Sequence, residues 1–478
     1  MVAWMGGWSG PADATEPFFI GLGDLPGGSF SSRALDVSAD GTVVVGVSSS
    51  APGAQAFRWT QGGGMIGLGD LPGTDFYSSA NSVSDDGSVV VGLSNNYLDC
   101  GGVGPCRPRP GAFRWTEAGG MTLLGSYGTI GAATDVSADG SVVVGDTQYY
   151  GPFRWTQETG MEFLTSVGTA LGVSTDGSVV VVVGGGEVFR WTLDTGMVSL
   201  GELGDLPGGA IYSTPHRVSA DGSIVVGTSN TAAPGSEAFR WTQSSGIIGL
   251  GVRPGFEYSW ANDVSNGSIV VGFNGIYNTS ASDEAFLWDA THGMRGLRDV
   301  LVNDFGLGAS LVGWTLRRAE AISADGQFIV GSGTNPSGNN EAWLARLAIE
   351  PTLPGDYNQN GIVDTADYTV WRDRLGQSTT LANEHPAAAT PGLVDAEDYA
   401  FWKANFGQTL GAGAAAHLAP GDSPGANYAV PEPAALALAV GACGWICAAR
   451  RRDIVRQPQI WPRGIGQKKL LKLGQRLC

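Results

Sequence analysis

"FFIGLGDLPG" (18–27) reads as one short strand stopped by a turn, and its echo "MIGLGDLPG" (65–73) is the end of a longer phrase. That phrase opens with "RALDVS" (33–38), turns through Asp-Gly, runs on as "TVVVGVS" (42–48), and adds "QAFRWT" (55–60) before "MIGLG" (65–69). Asp-Gly tolerates the positive φ that a tight hairpin needs. "TVVVGVS" is apolar at consecutive positions, the pattern of a strand buried on both faces. "QAFRWT" alternates, with Phe57 and Trp59 on one side and Arg58 on the other. Four such strands make one antiparallel unit. The stretch at 18–27 is therefore a fourth strand that arrives before any first, second or third.

Its partners stand at the other end. "DVSADGTVVVGVS" (36–48) recurs at 82–94, 135–147, 172–184, 217–229, 263–274 and 321–333, and "FRWT"-like third strands recur with it at intervals of 36 to 57 residues. The last copy stops after its third strand, "EAWLARLA" (341–348). An N-terminal strand that completes the C-terminal sheet closes a β-propeller and removes its open edge. An open β-solenoid would need no such complementation. Seven copies predict an all-β, seven-bladed propeller of four-stranded blades over 18–348, closed by the N-terminal strand.

The run "GLGDLPGG…DVSADGTVVVGVSS…AFRWT…GM" resembles the repeat of the HAF-type extracellular repeat proteins of bacteria. The resemblance implies an exported surface protein and supplies no reaction.

Composition agrees with a large folded domain. Glycine, 75 residues of 478, sits at repeated turn positions rather than in one spacer. A formal net charge of −18 argues against nucleic-acid binding, because phosphate contacts need clustered Lys and Arg. The basic residues are uneven: 450–478 holds nine Lys or Arg and one acid, about +8. The start, "MVAWMGGWSGPADATEP" (1–17), lacks the basic opening and sustained apolar run of an export signal, and "ADA" (12–14) reads as the remnant of a cleavage site in a truncated signal. Cys100 and Cys106 flank "CGGVGPC", as a disulfide of an exported chain or as two loop thiols.

The repeated aspartates Asp40, Asp86, Asp139, Asp176, Asp221 and Asp325 share one kind of environment. A catalytic pair needs carboxylates in unlike environments, so these are expected to shape hairpins. The ring holds only His216 and His292, with no triad order or metal spacing around them, and no active site is legible. Strand direction is more informative. The Asp-Gly turns and the "TQGGGM"-like turns fall on one face of the disc. The variable loops and the links between blades fall on the other, and the links carry Phe30, Phe76, Tyr77, Tyr212, Tyr258 and Trp260. Variable loops on a rigid scaffold are where binding usually sits. Phe76, Tyr77, Tyr212, Tyr258 and Trp260 are the expected ligand face, for a surface glycan or a protein.

After "IEPTLP" (349–354) the pattern changes to "GDYNQNGIVDTADYTVWRDRLGQ" (355–377). As a twelve-residue EF-hand-type loop it offers Asp356, Asn358, Asn360, the carbonyl of Ile362, Asp364 and Asp367 to Ca²⁺, which takes six to eight oxygens. The alternative is an Asp/Asn-rich turn capping a helix. A second copy, "GLVDAEDYAFWKANFGQ" (392–408), keeps Asp395 and Asp398, but its early ligand places are Ala387, Ala389 and Pro391, a degenerate loop. Tyr368, Trp371 and Leu375, like Tyr399, Trp402 and Phe406, form a stripe on each helix, and the stripes are expected to pack together. Residues 349–408 resemble a dockerin, whose family partner is a cohesin.

A Gly/Ala/Pro linker (409–429) leads to "VPEPAALALAVGACGWICAARRR" (430–452), which resembles a PEP-CTERM sorting signal: Pro431-Glu432-Pro433, an apolar helix, then Arg450, Arg451 and Arg452. Sixteen apolar residues (434–449) span about 24 Å, short for a hydrocarbon core of about 30 Å. The arginines would hold the tail in the cytoplasm and place the rest outside. The resemblance implies cleavage by an exosortase-type protease after transient membrane insertion. Residues 453–478 follow as a basic tail of no readable fold. The whole reads as an exported, non-enzymatic binding scaffold. The alternative is a carbohydrate-active enzyme carried by a dockerin.

Overall fold

The computed structural model describes residues 16–72, 76–96, 109–125, 131–166, 168–185, 187–200, 213–230, 235–279, 282–347, 355–358, 362–383 and 392–408. Within them the repeated phrase builds seven antiparallel sheets of four strands. Blade 1 runs Ser32–Val37, Val43–Ser49, Ala54–Thr60 and Gly64–Gly67, in chain order from the centre outward. Neighbouring first strands touch around the ring, and Thr315–Ile322 of blade 7 returns to Ser32–Val37 of blade 1.

Blade 7 confirms the closure. Its order is Phe18–Gly21, Asn340–Arg346, Phe328–Thr334, Thr315–Ile322, with Phe19 opposite Ala345 and Gly21 opposite Trp343. Leu22 N–H extends the pairing by donating to the Ala342 carbonyl at 2.9 Å. Phe19 is buried edge-on to Trp314 at 5.1 Å and beside Trp343 at 6.0 Å.

The core lies between blades rather than inside any one of them. Val43, Val45 and Ala56 of blade 1 share a cluster with Ala80, Val83, Val90 and Phe113 of blade 2. This is why the second strand is apolar at consecutive positions: each of its faces meets a neighbouring sheet. The Phe and Trp of "FRWT" serve the same packing, Phe57 fully buried and Trp59 nearly so.

Two details explain constant letters of the repeat. The first strand bulges between Ala34 and Asp36, and Gly46 stands opposite. A Cβ on Gly46 would overlap the Arg33 carbonyl, and Gly92, Gly145, Gly227, Gly272 and Gly331 stand in the same relation to their own first strands. Blade 4 carries Val182 there instead. The hairpin aspartates act as expected: the Ser38 hydroxyl and the Thr42 N–H both donate to Asp40, at 2.8 and 3.0 Å, and the pattern recurs at Asp86, Asp139, Asp176, Asp221 and Asp325. The N–H and hydroxyl of Ser141 and the Ser137 hydroxyl hold Asp139 below the usual carboxylate range. These acids are turn caps.

The link from blade 6 to blade 7 holds a helix the sequence reading did not anticipate, α1 (Leu297–Asn303), followed by a 3-10 turn at Leu307–Ala309. Leu297, Val300 and Leu301 are buried in the same cluster as Phe19 and Trp343, so this link seals the closing blade.

Beyond the propeller, α2 (Thr365–Arg374) and α3 (Ala396–Asn405) follow the two loops. Their stripes meet as expected, with Trp371 and Tyr399 rings at 5.0 Å and Tyr368 and Trp402 at 5.4 Å. The halves are tied reciprocally. Trp371 Nε1–H donates to the Asp395 carbonyl at 2.7 Å, and Trp402 Nε1–H donates to that of Asp364 at 2.9 Å. Leu375 departs from the stripe: it is the C-cap of α2, in non-helical backbone, and stays 41% exposed. Among the described residues no helix is long and apolar enough to cross a membrane. The 434–449 segment, the sorting motif Pro431–Pro433 and Arg450–Arg452, and Cys100 and Cys106 lie outside the described residues.

Candidate ligand-binding cleft

Each first strand runs from a link toward its Asp-Gly turn, so its opening residues stand at the mouth of the central channel on the variable-loop face. One position there is filled in chain order by Arg33, Ser79, Ala132, Thr169, Thr214, Trp260 and Arg318, each paired across to the second strand of its blade. Four consecutive blades carry small residues. Blades 6, 7 and 1, adjacent once the ring closes, carry Trp260, Arg318 and Arg33. A cleft of about 690 Å³ opens over these three.

Trp260, Phe273 and Arg318 of its lining belong to a stack of planar groups that continues behind it to His216. His216 of blade 5 lies parallel to Trp260 at 4.9 Å, Trp260 lies nearly parallel to Phe273 at 6.0 Å, and the Arg318 guanidinium sits over Phe273 at 4.1 Å. Cation–π contact contributes about 0.5–2 kcal/mol depending on desolvation. Burial pushes His216 down to about 4, so the ring is neutral at pH 7. The ring contacts the Ala261 carbonyl through Nδ1 at 2.6 Å. A carbonyl only accepts, so Nδ1 carries the proton.

Polar groups flank the stack and are already fixed. Arg33 Nε donates to Glu320 at 2.9 Å. Arg318 reaches Asp283 through Nε at 2.8 Å and Nη2 at 2.6 Å. Asn262 Nδ2 donates to the Ala319 carbonyl at 2.8 Å and to Glu320 at 3.2 Å. Burial raises the Glu320 carboxyl, against the pull of Arg33 and Arg318. Tyr258, its hydroxyl 3.3 Å from Asp283, and Tyr277, 46% exposed, close one side. An aromatic-walled concavity with a few fixed polar groups is the usual form of a small-ligand site.

Of the expected ligand face, the structure brings Tyr258 and Trp260 together in this cleft. Phe76 and Tyr77 sit in the link between blades 1 and 2 and do not line it, and Tyr212 lies outside the described residues. Phe273, Tyr277, Arg33, Arg318, Asn262 and Glu320 were missed.

The opposite end of the channel holds a second polar cluster. The residue two places before each turn serine is Asp36, Ser82, Asp135, Gly172, Arg217, Asp263 or Ala321. Arg217 pairs with Asp135 at 2.7 Å and lies 3.8 Å from Asp36, and its charge also acts on Asp263. The carboxylates latch blades: Asp36 accepts from Val83 N–H, Asp135 from Val173 N–H and Asp263 from Ile322 N–H, at 2.9–3.0 Å. This cluster is structural.

In the first loop of the small module, Asp364 is the N-cap of α2 and Asp367 completes its capping box; Asp395 and Asp398 repeat this at α3. Asp356 and Asp367 are buried, and burial together with the charges of Asp356 and Asp364 raises the Asp367 carboxyl. Asn358 N–H donates to Asp367 at 2.9 Å, Ile362 is exposed, and Asn360 lies outside the described residues. Among the described residues no three His, Cys, Asp or Glu side chains converge as a metal set.

No family model matches the chain, and no curated protein matches it in sequence. Solved structures resemble it in fold alone. TolB from Acinetobacter baumannii is 12% identical with a TM-score of 0.36, and the match covers 54% of this chain and 60% of that one. A putative TolB from Agrobacterium tumefaciens is 15% identical with a TM-score of 0.36, covering 60% and 94%. The β-propeller domain of Cps50 (Swd1) from Myceliophteria thermophila is 12% identical with a TM-score of 0.39, covering 69% and 98%. The chain thus spans about three-fifths of the length of the Acinetobacter TolB.

Proposed function

We propose that this protein is an exported, non-enzymatic binding scaffold of the bacterial surface or matrix, and that the cleft over blades 6, 7 and 1 is its ligand site. The observation that supports this most is the break in the repeat: large aromatic and cationic side chains replace small ones only where three adjacent blades form one concavity. Of the described residues lining the cleft, Glu320 is the sole carboxylate and is paired to Arg33, while the adjoining Asp283 is buried against Arg318. Glycoside hydrolysis would need two carboxylates across a bond, so the cleft favours binding over the carbohydrate-active alternative. Amide exchange on the full chain, with and without envelope polymer from its host, tests the site.

Two accessory roles belong to the same reading. The first loop holds Ca²⁺ through Asp356, Asn358, Asn360, the Ile362 carbonyl, Asp364 and Asp367. Burial, and after it the charges of Asp356 and Asp364, raises the Asp367 carboxyl, and carboxylates gathered in this way suit a divalent cation. Calorimetry should show one calcium site, abolished by Asp356→Ala with Asp367→Ala and little changed by Asp395→Ala with Asp398→Ala; two equal sites would refute the assignment. A cohesin-like partner for this module rests on the dockerin resemblance alone. The C-terminal segment serves an exosortase-type protease, so mass spectrometry of host surface material should find a mature chain ending near residue 430. Peptides from 453–478 still attached to the exported propeller would mean a permanent anchor.

A further inference from the structure

We infer that the cleft takes a short, neutral oligosaccharide, an assignment that rests on its being the ligand site. Size sets the first limit. About 690 Å³ suits a ligand of a few rings, whereas a protein partner would need about 1,600 Å² of buried surface. Charge sets the second. Both arginines of the cleft already face carboxylates, Arg33 with Glu320 and Arg318 with Asp283, so no unbalanced positive charge awaits an anion. A polyanion would also approach a chain of net charge −18.

The remaining chemistry is amphipathic on a small scale, as a pyranose is. One face of such a ring is a patch of C–H groups, and Tyr277, 46% exposed, offers aromatic surface to receive it. Its rim is a row of hydroxyls that both donate and accept. Among the described residues, Arg33 and Arg318 spend Nε and Nη2 on their carboxylates, which leaves the Nη1 edge as a donor, while Asn262 spends its N–H₂ group, which leaves its carbonyl as an acceptor. The groups are held in place before any ligand arrives, which lowers the ordering cost of binding.

The test is calorimetry on the full chain with neutral gluco-, xylo- and chito-oligosaccharides, oligouronates, and a mixed peptide pool. At least one neutral series should bind. Tyr277→Ala, in an exposed side chain, should weaken that binding about tenfold or more. Leu193→Ala, in an exposed turn of the opposite face, should leave it unchanged. Binding by oligouronates alone or by peptides alone, silence from every neutral series, or equal binding by the two variants would overturn the inference. If host envelope polymer protects the cleft from amide exchange while every neutral oligosaccharide fails, the saccharide assignment falls and the ligand site stands. If nothing protects the cleft, both fall.

Discussion

Deletion of residues 1–24 should abolish cooperative unfolding of the propeller and leave a chain that aggregates. The deletion removes the whole Phe18–Gly21 ladder and the Leu22 N–H bond to Ala342. It also takes away Gly23 N–H, which donates to Glu341 at 2.9 Å. Phe19 leaves a gap beside Trp314 and Trp343; emptying a buried Phe site alone costs about 3–5 kcal/mol. Domain stabilities are about 5–15 kcal/mol, so the combined loss is of the order of the whole. The long strand Asn340–Arg346 would then present an unpaired edge to other chains. Scanning calorimetry with light scattering checks this, and a deletion variant that melts like the parent would mean the ring closes some other way.

Arg217→Met should be the most damaging single substitution in the channel. The Arg217 side chain is 14% exposed, and removing it leaves Asp36, Asp135 and Asp263 facing one another without their cation. Breaking a buried pair from one side costs about 3–5 kcal/mol. The loss should depend on pH. Burial pushes Asp263 up to about 7 even with Arg217 present. Its folded value exceeds its unfolded value, so the folded state holds the extra proton between about pH 4 and 7. Stability from this group is therefore gained as pH falls through that window and lost as pH rises through 7. The variant should melt far below the parent at pH 8 and recover part of the difference at pH 5. Denaturant unfolding at the two pH values measures it; equal losses at both would show that the carboxylates carry no strain.

What was legible in the sequence was whatever every blade repeats. The Asp-Gly hairpins, the buried second strand and the alternation of "FRWT" recur because each blade meets the same two neighbours, so one copy explains the rest. Ring closure was legible from the order of the ends, since a lone fourth strand at 18–21 needs the three strands of blade 7. The module's helices and their facing stripes were legible from spacing, except Leu375, whose exposure follows from the end of α2.

What was hidden lies where the repeat varies. Arg33 and Arg318 sit inside strands that read as ordinary copies, and Arg33 joins Arg318 and Trp260 only when blade 7 returns to blade 1. Tyr258 and Trp260 were found because aromatics read as part of a link are conspicuous, although both belong to the first strand of blade 6 (Tyr258–Val264), whereas Phe273 was absorbed into the second-strand phrase. The signal was present in the aligned copies: Phe273 stands where the other blades carry Val47, Leu93, Asp146, Val183, Thr228 and Ser332. The Asp36–Asp135–Arg217–Asp263 cluster was hidden for the same reason. Helix α1 is a single short segment with no counterpart among the described residues of the other links, so the repeat gave no guide to it.

The claim that this propeller binds through one end of its channel is tested most directly by amide exchange on the full chain, with and without envelope polymer from its host. Protection should concentrate at 258–279 and 315–320, with the Asp-Gly turns of the opposite face unchanged, and it should be lost in Tyr277→Ala. Protection confined to the Asp-Gly turn face, or no protection of the described propeller at all, would contradict the account.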